Sequence, residues 1–337
     1  MTGLDGLGDT PEFAAVRSIL KGARLSDDPA GQPGDDAVLL PGASGWAASV
    51  DSSVQGTHFR LDWITAEEAG GRAVRAALSD LAAVGARPRA VLIALSGPDR
   101  ERLEQAGRGA RVAVENEGAL LVGGDLADAE GPLTIAVTVL GDLEGRPLLA
   151  RTGAPAGTPL WVTGSLGAAG AALRAWSDGR VPASDLRTAF TAPTPRWREA
   201  LWLRDGATVH AALDLSDGLA RDAVNLARAN GLVARIEADL VPIAEGARAE
   251  TTTAEAALQL ALSGGEDYEL LIAADLPEGV PERFLEQCGV PLTRIGILAA
   301  APTSTDPSAP SAGSASLLRS DGSETPLAGG FGHWSDS

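Results

Sequence analysis

Along AEEAGGRAVRAALSDLAAVGA (66–86) the apolar positions Ala73, Ala76, Ala77, Leu81 and Val84 recur three and four apart, the spacing of a helix with one buried stripe. Asp80, seven residues after Ala73, falls inside that stripe, the wrong face for a solvated charge. Helices are also predicted over 11–23, 99–118 and 219–231, the last with Leu219, Ala223, Leu226 and Ala227 on one face and Asn230-Gly231 as its C-cap. Short apolar runs predict strands from about Ala37, at 45–53 ending in Asp51, at 89–95, 119–125, 160–164 and 209–215, and in the alternating PLTIAVTVL of 132–140. Residues 256–274 predict helix, turn and strand. The alternation implies a mixed α/β layer. Gly- and Pro-rich EGRPLLARTGAPAGTP (144–159) marks a boundary near residue 150, dividing 1–150 from 151–337. The Ala/Pro/Ser/Thr-rich stretch at 298–316 reads as a surface loop to which no chemistry is assigned.

At 337 residues and 45% hydrophobic content the chain suits two domains. Its 27 Lys+Arg against 45 Asp+Glu leave a net charge of −18, which argues against nucleic acid or an anionic membrane as main partner. An anionic substrate would need metal ions to approach such a surface. A single cysteine, Cys288, excludes an internal disulfide framework and a cysteine zinc site, fits a reducing cytoplasm, and reads as a small buried hydrophobe. No apolar run has membrane-spanning length, and no basic leader precedes an apolar stretch.

Five stretches place acids at or near strand ends beside glycine or serine: GDDA (34–37), SVDSS (49–53), GGD (123–125), DLSDG (214–218) and SGGEDYE (263–269). Turn formation and helix capping account for any one of them alone. Asp80 does not fit that explanation, because an unpaired acid in an apolar stripe is costly to bury. Converging carboxylates would demand divalent cations, and their hard oxygens favour Mg²⁺. Of three histidines, His210 reads as a satisfied core residue, whereas His58 and His333 lie in polar, glycine-flanked settings. Neither a Gly-x-Ser-x-Gly elbow nor a Walker-type cradle occurs. Gly164, Gly167 and Gly170 read as close helix-to-sheet packing rather than a dinucleotide fingerprint. In LDLSDGLARD, Asp214 ends a strand and Asp217 opens a helix, while Asp222 reads as a solvated first-turn charge.

In this order, GDDAVLL, VDSSVQGTHF, ALSDLAAVGA, LLVGGD, ARTGA, LDLSDGLARD, SGGEDYEL and GFGHW resemble the thiamine-monophosphate kinase family from about residue 34 to the C-terminus. The chain departs from the family pattern in the loop GGDLADAE, at Pro33 and at Gly332. The resemblance implies a two-domain α/β fold of the aminoimidazole ribonucleotide synthetase type, in a cytoplasmic homodimer whose N-terminal sheets pair. It implies ATP and thiamine monophosphate as substrates, with thiamine diphosphate and ADP as products. Asp36, Ser49, Val50 (through its backbone), Asp51, Asp80, Asp125, Asp214 and Asp217 would hold several Mg²⁺ ions. Gly124, Asp125, Arg151 and Ser216 would contact ATP, and His58, Glu266 and Phe331 the thiamine phosphate. Asp80, Asp125, Arg151 and Asp217 would act at the reacting phosphates. Another ATP-dependent synthetase of the same superfamily, or a non-catalytic thiamine-phosphate binder, are the alternatives.

Overall fold

The computed structural model describes residues 11–21, 23, 26, 31–32, 34–40, 45–303 and 310–327. Its first half contains α1 (Pro11–Leu20), β1 (Val38–Leu39), β2 (Trp46–Val54), α2 (Ala66–Ala83), β3 (Arg87–Gly97), α3 (Arg100–Asn116), β4 (Leu120–Asp128) and β5 (Thr134–Asp142). The strands form one mixed sheet in the order β1-β2-β5-β3-β4, with only β3 and β4 parallel. Thus β2 runs three residues past its expected end at Asp51.

Helix α2 begins with a capping box. Thr65 accepts from the Glu68 amide at 3.1 Å, and Glu68 returns the bond to the Thr65 amide at 2.8 Å. Its apolar stripe, including Leu78 and Leu81, packs with Val91, Ile135, Val137 and Val139 of the sheet and Ala106, Ala110 and Val114 of α3. The two helices nearly touch. A Cβ on Gly70 would lie 1.9 Å from the Ala106 carbonyl oxygen, and one on Gly109 1.8 Å from that of Glu67. On the opposite face of the sheet Val50 and Leu92 are exposed, and the edge strand β4 is exposed throughout, Leu120 and Leu126 included.

The second half contains β6 (Thr158–Thr163), α4 (Ala168–Ser177), α5 (Ser184–Thr191), α6 (Trp197–Gly206), β7 (Thr208–Asp214), α7 (Leu219–Asn230) and β8 (Val233–Glu237). A 3₁₀ turn (Ala238–Leu240), α8 (Glu245–Ala249), α9 (Ala254–Ser263), β9 (Leu270–Asp275), α10 (Val280–Cys288), β10 (Leu292–Ala299), β11 (Ser314–Leu318) and β12 (Glu324–Pro326) follow. Its sheet runs β12-β11-β8-β10-β6-β9-β7. Alternation along β7 sends Ala211 and Leu213 into a core with α7 and α9, and Ala212 into one with α6 and α10. The core of the first sheet also takes in Ala169, Leu186 and Phe190 from α4 and α5, so no solvent layer separates the halves.

Several expectations change here. His210 is satisfied, by Asp275 at 2.9 Å, but it lies on an edge strand with its side chain 23% exposed rather than in the core. Cys288 is half-buried against the α6–α10 core. The Ala/Pro/Ser-rich stretch ends in β11, which pairs in parallel with β8. Gly167 and Gly170 do pack closely, although the neighbour is the end of α9: added Cβ atoms would meet Ala261 at 2.9 Å and Gly264 at 2.7 Å. Among the described residues, no helix is long and apolar enough to cross a membrane.

Candidate active site

Four segments converge where the halves meet. Asp36 precedes β1, Ser49 and Asp51 lie on the helix-covered face of β2, Asp80 lies in the last turn of α2, and Asp214 ends β7. Carboxylate oxygens of Asp36, Asp80 and Asp214 lie within 4.8 Å of one another. The Ser49 hydroxyl donates to Asp80 Oδ2 at 2.5 Å. Arg151 closes the other side: its amide donates to Asp35 Oδ2 at 2.8 Å and its guanidinium to Asp36 Oδ1. Asn230 holds this arginine's segment in place, donating to the Arg151 carbonyl while its own oxygen accepts from the Gly153 and Ala154 amides.

The electrostatics follow from crowding like charges away from water. Burial, then repulsion from Asp214, Asp51 and Asp36, pushes Asp80 well above the ordinary carboxylate range. Burial and then Asp36 lift Asp214 to about 7, with Ser79 and Arg151 opposing. Burial and Asp36 raise Asp35 to about 6, and burial raises Asp51. The Asp36 Oδ2 atom is buried without a hydrogen-bond partner among the described residues. One arginine cannot balance so many acids. An all-oxygen donor set with an unpartnered carboxylate oxygen fits a hard divalent cation, Mg²⁺ in particular.

A cleft of about 280 Å³ opens beside the cluster, lined by Asp36, Arg151, Asp214, Ser216, Asp217 and Asp222. Asp222 is therefore not a solvated helix-end charge. It is 4% exposed, accepts from the Asp217 amide at 3.1 Å, and is raised well above its usual range by burial and by Asp217. Asp217 pairs with Arg221 at 3.1 Å.

A second cleft, about 520 Å³, is lined by Ser165, Thr188, Arg196, Glu266, Asp267 and Glu269. The loop that carries these acids is stitched to the end of β7: Leu215 donates to the Glu269 carbonyl, Glu266 to that of Ser216 and Tyr268 to that of Leu215, at 2.8 to 2.9 Å. Its acids have distinct partners. Glu266 takes Arg72 and the Tyr268 hydroxyl, Asp267 accepts from the Gly167 amide that opens α4, and Glu269 pairs with Arg196 and Thr163. His58 Nδ1 accepts from the Val54 amide at 3.1 Å, which leaves the proton of a neutral ring on Nε2.

Asp125 does not join the cluster within one chain. Ser52, Ala136, Ala94 and Asp125 are successive register partners and share the open face of the sheet. Asp51, Val137, Ile93 and Gly124 share the helix-covered face. Asp125 is thus on the opposite face from Asp51 and three strands away, about 14 Å at the usual strand spacing. Val50, on the open face, is 67% exposed. Gly124 has a packing reason of its own, since a Cβ there would lie 2.0 Å from the Ile93 carbonyl oxygen. Phe331 and His333 lie outside the described residues. Sequence reading passed over Asp35, Ser79, Arg72 and Tyr268, took Asp222 for a solvated charge, and saw Asn230 only as a helix cap. Arg72 carried a signal, being four residues before Ala76 and therefore on the buried stripe.

The chain matches AIR synthase related protein, N-terminal domain, over residues 34–143 and the corresponding C-terminal domain over residues 155–305. With its two mixed sheets and an acid cluster between them, it is an AIR synthase-related α/β protein. Within that class the chain belongs to the thiamine-monophosphate kinase family. It is 34% identical to the thiamine-monophosphate kinase of Mycobacterium tuberculosis strain H37Rv over 268 residues, 77% of this chain and 79% of that one. A crystal structure of thiamine-monophosphate kinase from Stenotrophomonas maltophilia K279a is 33% identical, with a TM-score of 0.68 over 87% of this chain and 95% of that one. The structure of AaThiL complexed with AMPPCP and TMP superimposes with a TM-score of 0.77 over 97% of both chains. At 23% identity it shows the shared fold.

Proposed function

We propose that this protein transfers the γ-phosphoryl group of ATP directly, in line, to thiamine monophosphate, giving thiamine diphosphate and ADP. The observation that carries the reading is the meeting of Asp36, Asp80 and Asp214 within 4.8 Å beside Arg151. The acceptor is itself an ionised phosphate, so no protein base is needed, and among the described residues no histidine lines the cleft beside the cluster. The barrier to overcome is repulsion between two anions. Asp36, Asp51, Asp80 and Asp214, with Ser49 and the Val50 backbone, would hold Mg²⁺, which when bound supplies charge neutralisation between the phosphates. Arg151 adds a fixed positive charge on the cleft wall. Ser216 and Asp217, in the turn leading into α7, would meet ATP, and His58, Glu266 and Phe331 the thiamine phosphate.

The working form in this reading is a cytoplasmic homodimer of chains divided near residue 150. The open face of the first sheet, with Val50, Leu92 and Leu120 exposed, would be covered by a second copy. That arrangement would bring Gly124 and Asp125 of one chain to the Val50 side of the other, and so toward the phosphates that Asp51 serves. The test is ADP release by the purified protein with ATP and increasing Mg²⁺, with and without thiamine monophosphate. ADP release must require both Mg²⁺ and the acceptor; equal release without acceptor would count against the reading.

A further inference from the structure

Glu266 and Tyr268 both adopt left-handed backbone conformations, with φ of 64° and 51°. Such a conformation costs a residue other than glycine about 1–2 kcal/mol, so something must hold the pair in this shape. Arg72 reaches them from the middle of α2 with a side chain only 2% exposed, and its Nη2 bonds Glu266 Oε2. The Tyr268 hydroxyl donates to that same oxygen at 2.6 Å. Both donors therefore occupy one carboxylate oxygen. The other, Oε1, takes no hydrogen bond among the described residues, and Glu266 lines the 520 Å³ cleft.

Arg72 is itself tightly held. Its guanidinium lies 4.4 Å from the Phe190 ring centroid, Phe190 meets Trp176 edge-on at 5.4 Å, and Trp176 stacks on Trp63 at 5.5 Å. Trp63 follows His58 by five residues, so the aromatic stack ties the His58 loop to the Glu266 loop across α4 and α5. Burial works against the charge on Arg72, but Glu266, Tyr268 and Asp51 raise its pKa overall and keep it a cation. Its Nε is buried with no partner among the described residues. An arginine so poorly satisfied in the interior, committed to one carboxylate oxygen, is a costly way to achieve packing alone.

We infer that Arg72, together with Tyr268, is a positioning residue for thiamine monophosphate: it pins one oxygen of Glu266 and leaves the other for the substrate. This rests on the reading that Glu266 touches that substrate. Steady-state kinetics of the full-length protein test it, varying thiamine monophosphate at saturating ATP and the reverse. Glu266→Gln is expected to raise KM for thiamine monophosphate about tenfold, and Tyr268→Phe about threefold, with KM for ATP unchanged. The double variant should be no worse than Glu266→Gln, because the hydroxyl acts only through that carboxylate. Arg72→Met should follow Glu266→Gln, and Arg72→Lys should recover part of the loss. If Arg72→Met does not fold, Tyr268→Phe and the double variant decide. Normal KM in Glu266→Gln would remove the substrate contact and the inference with it. A raised KM there, with Tyr268→Phe and Arg72→Lys at wild-type values or with effects that multiply, would overturn the inference alone.

Discussion

Replacing Asp214 by asparagine should stabilise the metal-free protein while destroying its activity. Asp214 is 5% exposed, and burial reinforced by Asp36 lifts its carboxyl from 3.8 to about 7. The sign follows from proton binding: the folded state holds this proton more tightly than the unfolded chain, so stability falls as pH rises between about 4 and about 7. Moving a carboxyl over that interval corresponds to a cost on the order of 4 kcal/mol for ionised Asp214. Asp80 shares the repulsion and is itself raised, so removing one charge should recover about 2 kcal/mol. Urea unfolding in the presence of EDTA measures this directly. Asp214→Asn should gain about 2 kcal/mol at pH 8 and less than ~1 kcal/mol at pH 5. Added Mg²⁺ should raise the wild-type midpoint but leave the variant nearly unmoved, since a ligand stabilises only the form that binds it. A difference independent of pH, or a variant less stable at pH 8, would refute the charge-crowding argument.

Three further outcomes follow from the same geometry. Asp80→Asn should fold and form ADP and thiamine diphosphate at least about 100-fold more slowly than wild type; turnover near normal would show that Asp80 holds no metal. Mixing Asp80→Asn with Asp125→Asn after unfolding and refolding should restore activity to about a quarter of wild type, because half of the dimers are mixed and one site in each is whole. No recovery would place Asp125 outside the shared site. Gly109→Ala, whose Cβ would lie 1.8 Å from the Glu67 carbonyl oxygen, should cost about 3 kcal/mol or more by separating α2 from α3, read as a fall in melting temperature; an unchanged melting temperature would contradict the close crossing.

The alternation of apolar runs carried most of the secondary structure, because the buried stripes of α2 and α7 and the two-residue period of β5 are local patterns. The acids at strand ends were legible for the same reason: Asp214 closes β7, and Asp80 interrupts an apolar stripe. What local pattern cannot encode is the third dimension of the site. Asp222 looks like an ordinary first-turn acid until the Asp217 amide and Arg151 are seen to enclose it. Asp125 looks equivalent to Asp51 until sheet register puts the two on opposite faces. In SGGEDYE three acids of similar appearance divide into a clamp on Arg72, a cap on α4 and a partner for Arg196, distinctions made by residues roughly 70 to 200 positions away.

The most direct test of direct transfer across the acid cluster uses ATP labelled in its γ-phosphoryl group, with thiamine monophosphate, Mg²⁺ and purified protein. Label should appear in the terminal phosphate of thiamine diphosphate, one for each ADP formed, and the product should vanish when Mg²⁺ is chelated. Label released as inorganic phosphate, with thiamine monophosphate unchanged, would contradict the proposed phosphoryl transfer.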